Sequence, residues 1–180
     1  MNIIVSGGGT GGHIYPALTI IRAIQRSEPS ARILYVGGKN GLEADIVPRE
    51  GIDFIAMDLA GFERKISLEN IGRAWRALRA VARARGIVHG FQPNVAIGTG
   101  GYVAGPILLA ASLAGVPTLV QEQNVFAGVT NRILAKFATA IAVGMEDAQR
   151  VFPREKTYVT GNPIRPEVLT ATREDGARAF

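Results

Sequence analysis

The chemistry in this chain sits in four polar, glycine-rich segments rather than in clustered carboxylates or thiols. The first, Gly7-Gly8-Gly9-Thr10-Gly11-Gly12-His13, follows the apolar run Asn2 to Ser6, and Pro16 stands where a helix would begin. Glycines let backbone N–H groups approach an anion closely, and a helix N-terminus adds about half a positive charge. Five glycines in six residues, Gly7 to Gly12, exceed what a tight strand-to-helix turn requires. The second segment, Gly98-Thr99-Gly100-Gly101-Tyr102-Val103-Ala104-Gly105-Pro106, has the same strand-to-helix form, and Tyr102 offers a stacking face with a hydroxyl. Two such loops at one sheet edge could grip two parts of one ligand, such as a diphosphate and a sugar. The third, Gln121-Glu122-Gln123-Asn124, ends a strand in amides that suit sugar hydroxyls, or else in a solvated loop with Asn124 capping a helix. The fourth, Gly161-Asn162-Pro163-Ile164-Arg165, puts a guanidinium at the sheet edge, either to pair with a phosphate or as an ordinary surface cation.

Several other chemistries fit poorly. Gly7, Gly9 and Gly12 satisfy a dinucleotide G-x-G-x-x-G spacing, but that motif needs an acid at the end of the second strand to hold a ribose. Here that strand ends Tyr35-Val36-Gly37-Gly38-Lys39, and the next acid is Glu43. An ATP-binding P-loop needs Lys and Ser or Thr after its last glycine; His13 and Ile14 stand there instead. The absence of cysteine removes disulfides, thiolate metal sites and thiol nucleophiles. Two histidines, at 13 and 89, without a carboxylate cluster make a poor metal set, so no metal and no cofactor are expected.

The elements that must position these segments follow from hydrophobic patterning. Short apolar runs at 2–6, 32–37, 53–57, 94–97, 118–121, 140–143 and 157–160 alternate with helical patterns at 14–26, 42–50, 68–88, 103–114 and 129–137. Strands apolar on both faces, separated by helices, predict an α/β fold: a doubly wound parallel sheet with helices on both faces. In that architecture ligands gather beyond the carboxyl ends of the strands, where all four segments fall. With 180 residues, 47% hydrophobic and 19% charged, the chain can bury one core. The N-terminus lacks the basic and apolar regions of a signal peptide, and the apolar stretch 103–120 is broken by Pro106, Gly115 and Pro117. A net charge of +5 points to an anionic partner: nucleic acid, an anionic membrane or a phosphorylated substrate.

Taken together, the segments 7–13 with Pro16, 98–106, 121–124 with Ala127-Gly128, and 161–165 resemble the N-terminal half of the MurG glycosyltransferases, of glycosyltransferase family 28. The resemblance spans essentially the whole chain. It implies a Rossmann-like N-terminal domain of a GT-B fold over residues 1–165, with 166–180 beginning a passage to an absent C-terminal donor-binding domain. It also implies transfer of N-acetylglucosamine from UDP-N-acetylglucosamine to the 4-hydroxyl of the N-acetylmuramoyl unit of lipid I, giving lipid II with inversion. By the same resemblance Thr10, Gly11, Gly12, Asn124 and Arg165 complete the donor site, while Gly9, His13, Gly100, Gly101, Tyr102 and Gln123 seat the acceptor's diphosphate and sugar. His13 is the candidate base, since an imidazole of pKa about 6.5 can accept a proton at neutral pH. The alternative is that it only hydrogen-bonds a phosphate or caps the helix.

Residues 67–85 carry Leu68, Ile71, Trp75, Leu78 and Val81 at helical spacing beside Arg73, Arg76, Arg79, Arg83 and Arg85. An apolar stripe among dense cations suits an anionic bilayer surface, although such stripes also pack on sheets. The expected location is therefore peripheral, at the cytoplasmic face of the bacterial membrane. Nucleic acid is not expected, for want of a recognition motif and interleaved aromatics. The rival readings are a stand-alone acceptor-binding subunit of a split glycosyltransferase and, further off, a Rossmann oxidoreductase.

Overall fold

A computed structural model describes residues 1–58, 70–166 and 168, with the backbone alone for 70–78. Seven strands form one parallel sheet: β1 (Asn2–Gly7), β2 (Arg32–Gly38), β3 (Asp53–Met57), β4 (Val95–Gly100), β5 (Thr118–Glu122), β6 (Ala140–Val143) and β7 (Thr157–Val159). Helices α1 (Gly11–Ser27), α2 (Glu43–Arg49), α3 (Asn70–Phe91), α4 (Ala104–Leu113) and α5 (Val129–Leu134) connect them, with two 3-10 turns, 146–151 and 154–156, between β6 and β7. The doubly wound parallel sheet expected from the patterning is therefore the observed architecture.

The strand order is β3-β2-β1-β4-β5-β6-β7. The chain winds outward from β1 to β3, returns beside β1 as β4, and winds outward the other way. Alternate residues of each strand serve the two faces. Ile3, Val5, Ile33 and Tyr35 pack with Ile14, Leu18, Ile21 and Val47 under α1 and α2. Ile4, Leu34 and Val36 pack with Ala84, Ile107, Leu108 and Leu134 under α3, α4 and α5. This period of two on a sheet covered on both sides explains why the strands read as unbroken apolar runs.

Helix α3 runs on to Phe91 and α5 stops at Leu134, past and short of the expected ends, and two further departures involve glycine. Helix α1 begins at Gly11, not Ile14: the Thr10 carbonyl accepts from the His13 and Ile14 amides at 3.1 and 3.3 Å. Pro16 lies inside the helix, where its missing N–H deprives the Gly12 carbonyl of its partner. Gly11 and Gly12 are thus the first turn of α1, and low helix propensity hid them. Strand β4 likewise runs on through Gly98-Thr99-Gly100. A Cβ on Gly98 would stand 2.5 Å from Leu108, so glycine there lets α4 settle on the sheet.

Leu108 is 1% exposed. Leu108→Ala should lower the unfolding free energy by about 3 kcal/mol in urea, with the slope unchanged.

Candidate functional site

β1 and β4 are neighbours that lead in opposite directions, and in doubly wound sheets ligands bind beyond the carboxyl ends of such a pair. The two glycine loops follow these two strands, and they touch. The Gly8 amide donates to the Gly100 carbonyl at 3.3 Å, and the Thr99 hydroxyl donates to the His13 carbonyl at 2.7 Å. A Cβ on Gly101 would lie 2.2 Å from the Gly8 carbonyl oxygen, and Gly101 has a φ of +79°. The contact therefore requires glycine at 101 on two counts, a clash with backbone and a left-handed conformation.

His13 stands between the loops in the first turn of α1. Its Nδ1 lies 3.0 Å from the Gly8 carbonyl and 3.2 Å from the Thr10 hydroxyl. A carbonyl can only accept, so Nδ1 carries the proton, and in the neutral ring Nε2 keeps its lone pair. That edge of the ring faces Gly100, where a Cβ would be 3.0 Å from Nε2. Thr10 is the N-cap of α1 but spends its hydroxyl on His13 rather than on a backbone amide. The helix's leading amides, Gly11 and Gly12, are the donors it leaves for a ligand.

Glu43, the first acid after β2, is buried. Its carboxylate accepts the Gly38 amide at 2.9 Å and the Gly9 amide at 3.1 Å. The Gly9 N–H, expected to face a diphosphate, is thus committed within the chain. Tyr102 closes this side. Its ring edge would be 3.3 Å from a Cβ on Gly9, and burial first, then the Glu43 charge, raises its phenol above the ordinary value, so it stays a hydrogen-bond donor at neutral pH. The ring packs along the loop rather than standing free as a stacking platform.

A second buried carboxylate, Glu122, organises the end of β5. It accepts from the Asn124 amide (2.9 Å) and side chain (3.0 Å), the Gly128 amide (3.0 Å) and the Asn131 side chain (2.9 Å). Asn124 caps no helix, since Gly128 is the N-cap of α5. Gln123 donates to the Thr99 carbonyl at 2.7 Å, and Asn162 donates to the Gln123 carbonyl at 3.2 Å, which ties the third and fourth segments to the second loop. Gln121 Nε2, Gln123 Oε1, Asn131 Oδ1 and Asn162 Oδ1 are buried without a partner among the described residues. Each such atom left unpaired costs about 1–3 kcal/mol.

Arg165 is exposed and lies 4.6 Å over the ring of Tyr15, whose edge in turn flanks Gly11. The four segments therefore meet around the first turn of α1. Asn131, Asn162, Tyr15, Thr99 and the two carboxylates take part without having been singled out. Thr99, Asn162 and Glu122 lay within recognised segments; nothing local marks the others. Of the stripe proposed for a membrane, Leu68 lies outside the described residues, as do the side chains of Ile71, Arg73, Trp75, Arg76 and Leu78. Arg79 and Arg83 are exposed, and Arg83 donates to the Ala56 carbonyl at 3.0 Å.

The glycosyltransferase family 28 N-terminal domain matches residues 3–143, from β1 through β6. This chain belongs to that family. Over all of its length it is 51% identical to the UDP-N-acetylglucosamine--N-acetylmuramyl-(pentapeptide) pyrophosphoryl-undecaprenol N-acetylglucosamine transferase of Desulforamulus reducens, covering 49% of that protein. The enzyme of the same name from Thermoanaerobacter sp. is 47% identical over 99% of the chain, again covering 49% of the relative. Among solved structures, MurG of Acinetobacter baumannii superposes with a TM-score of 0.76 at 28% identity, over 94% of this chain and 47% of that one. A UDP-GlcNAc 2-epimerase from Neisseria meningitidis shares the fold alone, with a TM-score of 0.62 at 14% identity over 90% of this chain and 46% of that one. The family 28 chain spans about half the length of the curated relatives it matches. Among its described residues no helix is long and apolar enough to cross a membrane.

If the loops of this family 28 domain are held by direct backbone contact, Gly101→Ala should lower stability by about 2–3 kcal/mol in urea. Gly51→Ala is the control, with a φ of +72° but open space around the added carbon, and should cost only the backbone strain, about 1 kcal/mol.

Proposed function

We propose that this chain is the acceptor-binding half of an inverting transferase that moves N-acetylglucosamine from UDP-N-acetylglucosamine to the 4-hydroxyl of the muramoyl unit of undecaprenyl-pyrophosphoryl-MurNAc-pentapeptide. Residues 1–165 are its Rossmann-like domain, and 166–180 lead toward a donor-binding domain. The observation that carries this reading is the meeting of the two glycine loops around His13 at the switch point of the sheet. The names of the relatives supply the substrates, and the crevice supplies chemistry that matches them.

His13 Nε2 accepts the proton of the attacking hydroxyl while its Nδ1–H is held by the Gly8 carbonyl, which fixes the ring and favours the imidazolium that forms. The sugar oxygen bonds to the anomeric carbon from the face opposite the diphosphate, and the carbon–oxygen bond to UDP breaks with its electron pair leaving on the phosphate. The Gly11 and Gly12 amides, the Thr10 hydroxyl, Asn124 and Arg165 meet the leaving diphosphate, with fixed dipoles and a guanidinium in place of a metal. Gly100, Gly101, Tyr102 and Gln123, around His13, seat the acceptor's diphosphate and sugar. The alternating amide donors and acceptors near Gln121 and Asn131 suit its hydroxyls.

The acceptor's lipid tail confines it to a bilayer, so the protein must meet it there. Helices α3, α4 and α5 cover one face of the sheet, and on α5 and the turn that follows it Val129, Ile133 and Phe137 are 73%, 55% and 47% exposed at intervals of four, beside exposed Arg132 and Lys136. Together with the arginines of α3 this supports docking to an anionic surface, each cation contributing on the order of 1 kcal/mol.

Joined to the second half of the D. reducens relative, the chain should transfer N-acetylglucosamine to a lipid I analogue, and His13→Ala should lower turnover about 100-fold with acceptor KM little changed. A loss confined to acceptor KM would contradict the role as base. In co-sedimentation, the chain should bind vesicles containing phosphatidylglycerol and be released by salt. Binding that ignores both lipid charge and salt would contradict the membrane surface.

A further inference from the structure

Glu43 is 0% exposed, and glycines wall it in. A Cβ on Gly8 would lie 2.2 Å from Oε1, one on Gly41 2.3 Å from either oxygen, and one on Gly37 2.6 Å from Cγ. The carboxylate faces the Gly38 and Gly9 amides at 2.9 and 3.1 Å. In a dinucleotide-binding α/β domain the first glycine loop gives its amides to a pyrophosphate, and an acid at the end of the second strand holds a ribose. In this chain the acid stands in the first turn of α2 and turns back onto the loop itself. It occupies, from inside the protein, the position that an external anion would take.

We infer that Glu43 is the specificity-determining anion of the first glycine loop: by holding the Gly9 amide it keeps a pyrophosphate out of the dinucleotide seat and directs it to the first turn of α1. Two anions cannot share the Gly9 N–H, and a phosphate placed beside the buried carboxylate would meet a like charge where solvent screens it poorly. The Gly11 and Gly12 amides, on the far side of Thr10, carry no such penalty. The loop can thus keep a dinucleotide-like glycine spacing while rejecting dinucleotides, and a diphosphate sits next to His13 rather than on the Gly9 amide. The inference rests on the reading of this crevice as a diphosphate site.

The test is a titration of the 15N-labelled chain with inorganic pyrophosphate, followed by amide chemical shifts. In the wild-type protein Gly11, Gly12 and His13 should move and Gly9 should stay. In Glu43→Gln, Gly9 should join them and affinity should rise about tenfold. Gly9 moving together with Gly11 and Gly12 in the wild-type protein would overturn the assignment, and that arm decides even if the variant fails to fold. So would a folded Glu43→Gln with wild-type shifts and affinity. No shift at any of these amides would remove the diphosphate site, and this assignment with it, whereas a shifted Gly9 removes the assignment alone.

Discussion

The contact between the Gly8 backbone and the Gly100-Gly101 turn is the constraint on which the site depends. It extends the pairing of β1 with β4 past the end of the sheet, after a register shift between Ser6 and Gly7 that pairs Gly7 with Gly100. Parallel strands ordinarily diverge into separate loops at this point. Here an amide-to-carbonyl bond, a hydroxyl-to-carbonyl bond that spans 86 positions and an absent Cβ hold together two loops that are distant in sequence. His13 is placed by both: its carbonyl is held from β4 and its ring from the loop that follows β1. The tautomer that leaves Nε2 with a lone pair follows from the same arrangement.

Two buried carboxylates make the polar loops affordable inside a compact domain. Glu43 collects the amides of the first loop and of the end of β2, and Glu122 collects those of the turn into α5. A buried carboxylate without a compensating cation is stable only when several donors converge on it, and an irregular loop has amides that no helix or strand uses. Each therefore satisfies the other's need. Both acids are engaged in this way with backbone and side-chain donors of their own loops.

The fold was legible because both faces of the sheet are covered, so that its strands stand out as apolar runs; their bounds fall within three residues of expectation. Glycine blurred the rest. Gly11 and Gly12 are helical because they head α1, where amides need no intrahelical partner, and Gly98 is in a strand because Leu108 lies over it. The glycine loops themselves could be found, since several glycines before a helix already mark an anion site. Their neighbours could not. Glu43 reaches Gly9 across 34 positions and Asn162 reaches Gln123 across 39, and nothing in the residues near either predicts such a partner. Tyr15 reads as one more residue of an amphipathic helix until the return of the chain brings Arg165 over its ring.

The central claim is that the two loops form one anion-binding site rather than two neighbouring turns. A crystal structure of the protein soaked with a soluble, short-chain pyrophosphoryl-MurNAc acceptor tests it most directly. The account predicts the acceptor's diphosphate within hydrogen-bonding distance of both His13 of the first loop and the Gly100–Tyr102 turn, with the sugar toward Gln123 and the Gly11 and Gly12 amides left for the donor. A diphosphate bound to one loop alone, or seated away from the β1–β4 crevice, would contradict it.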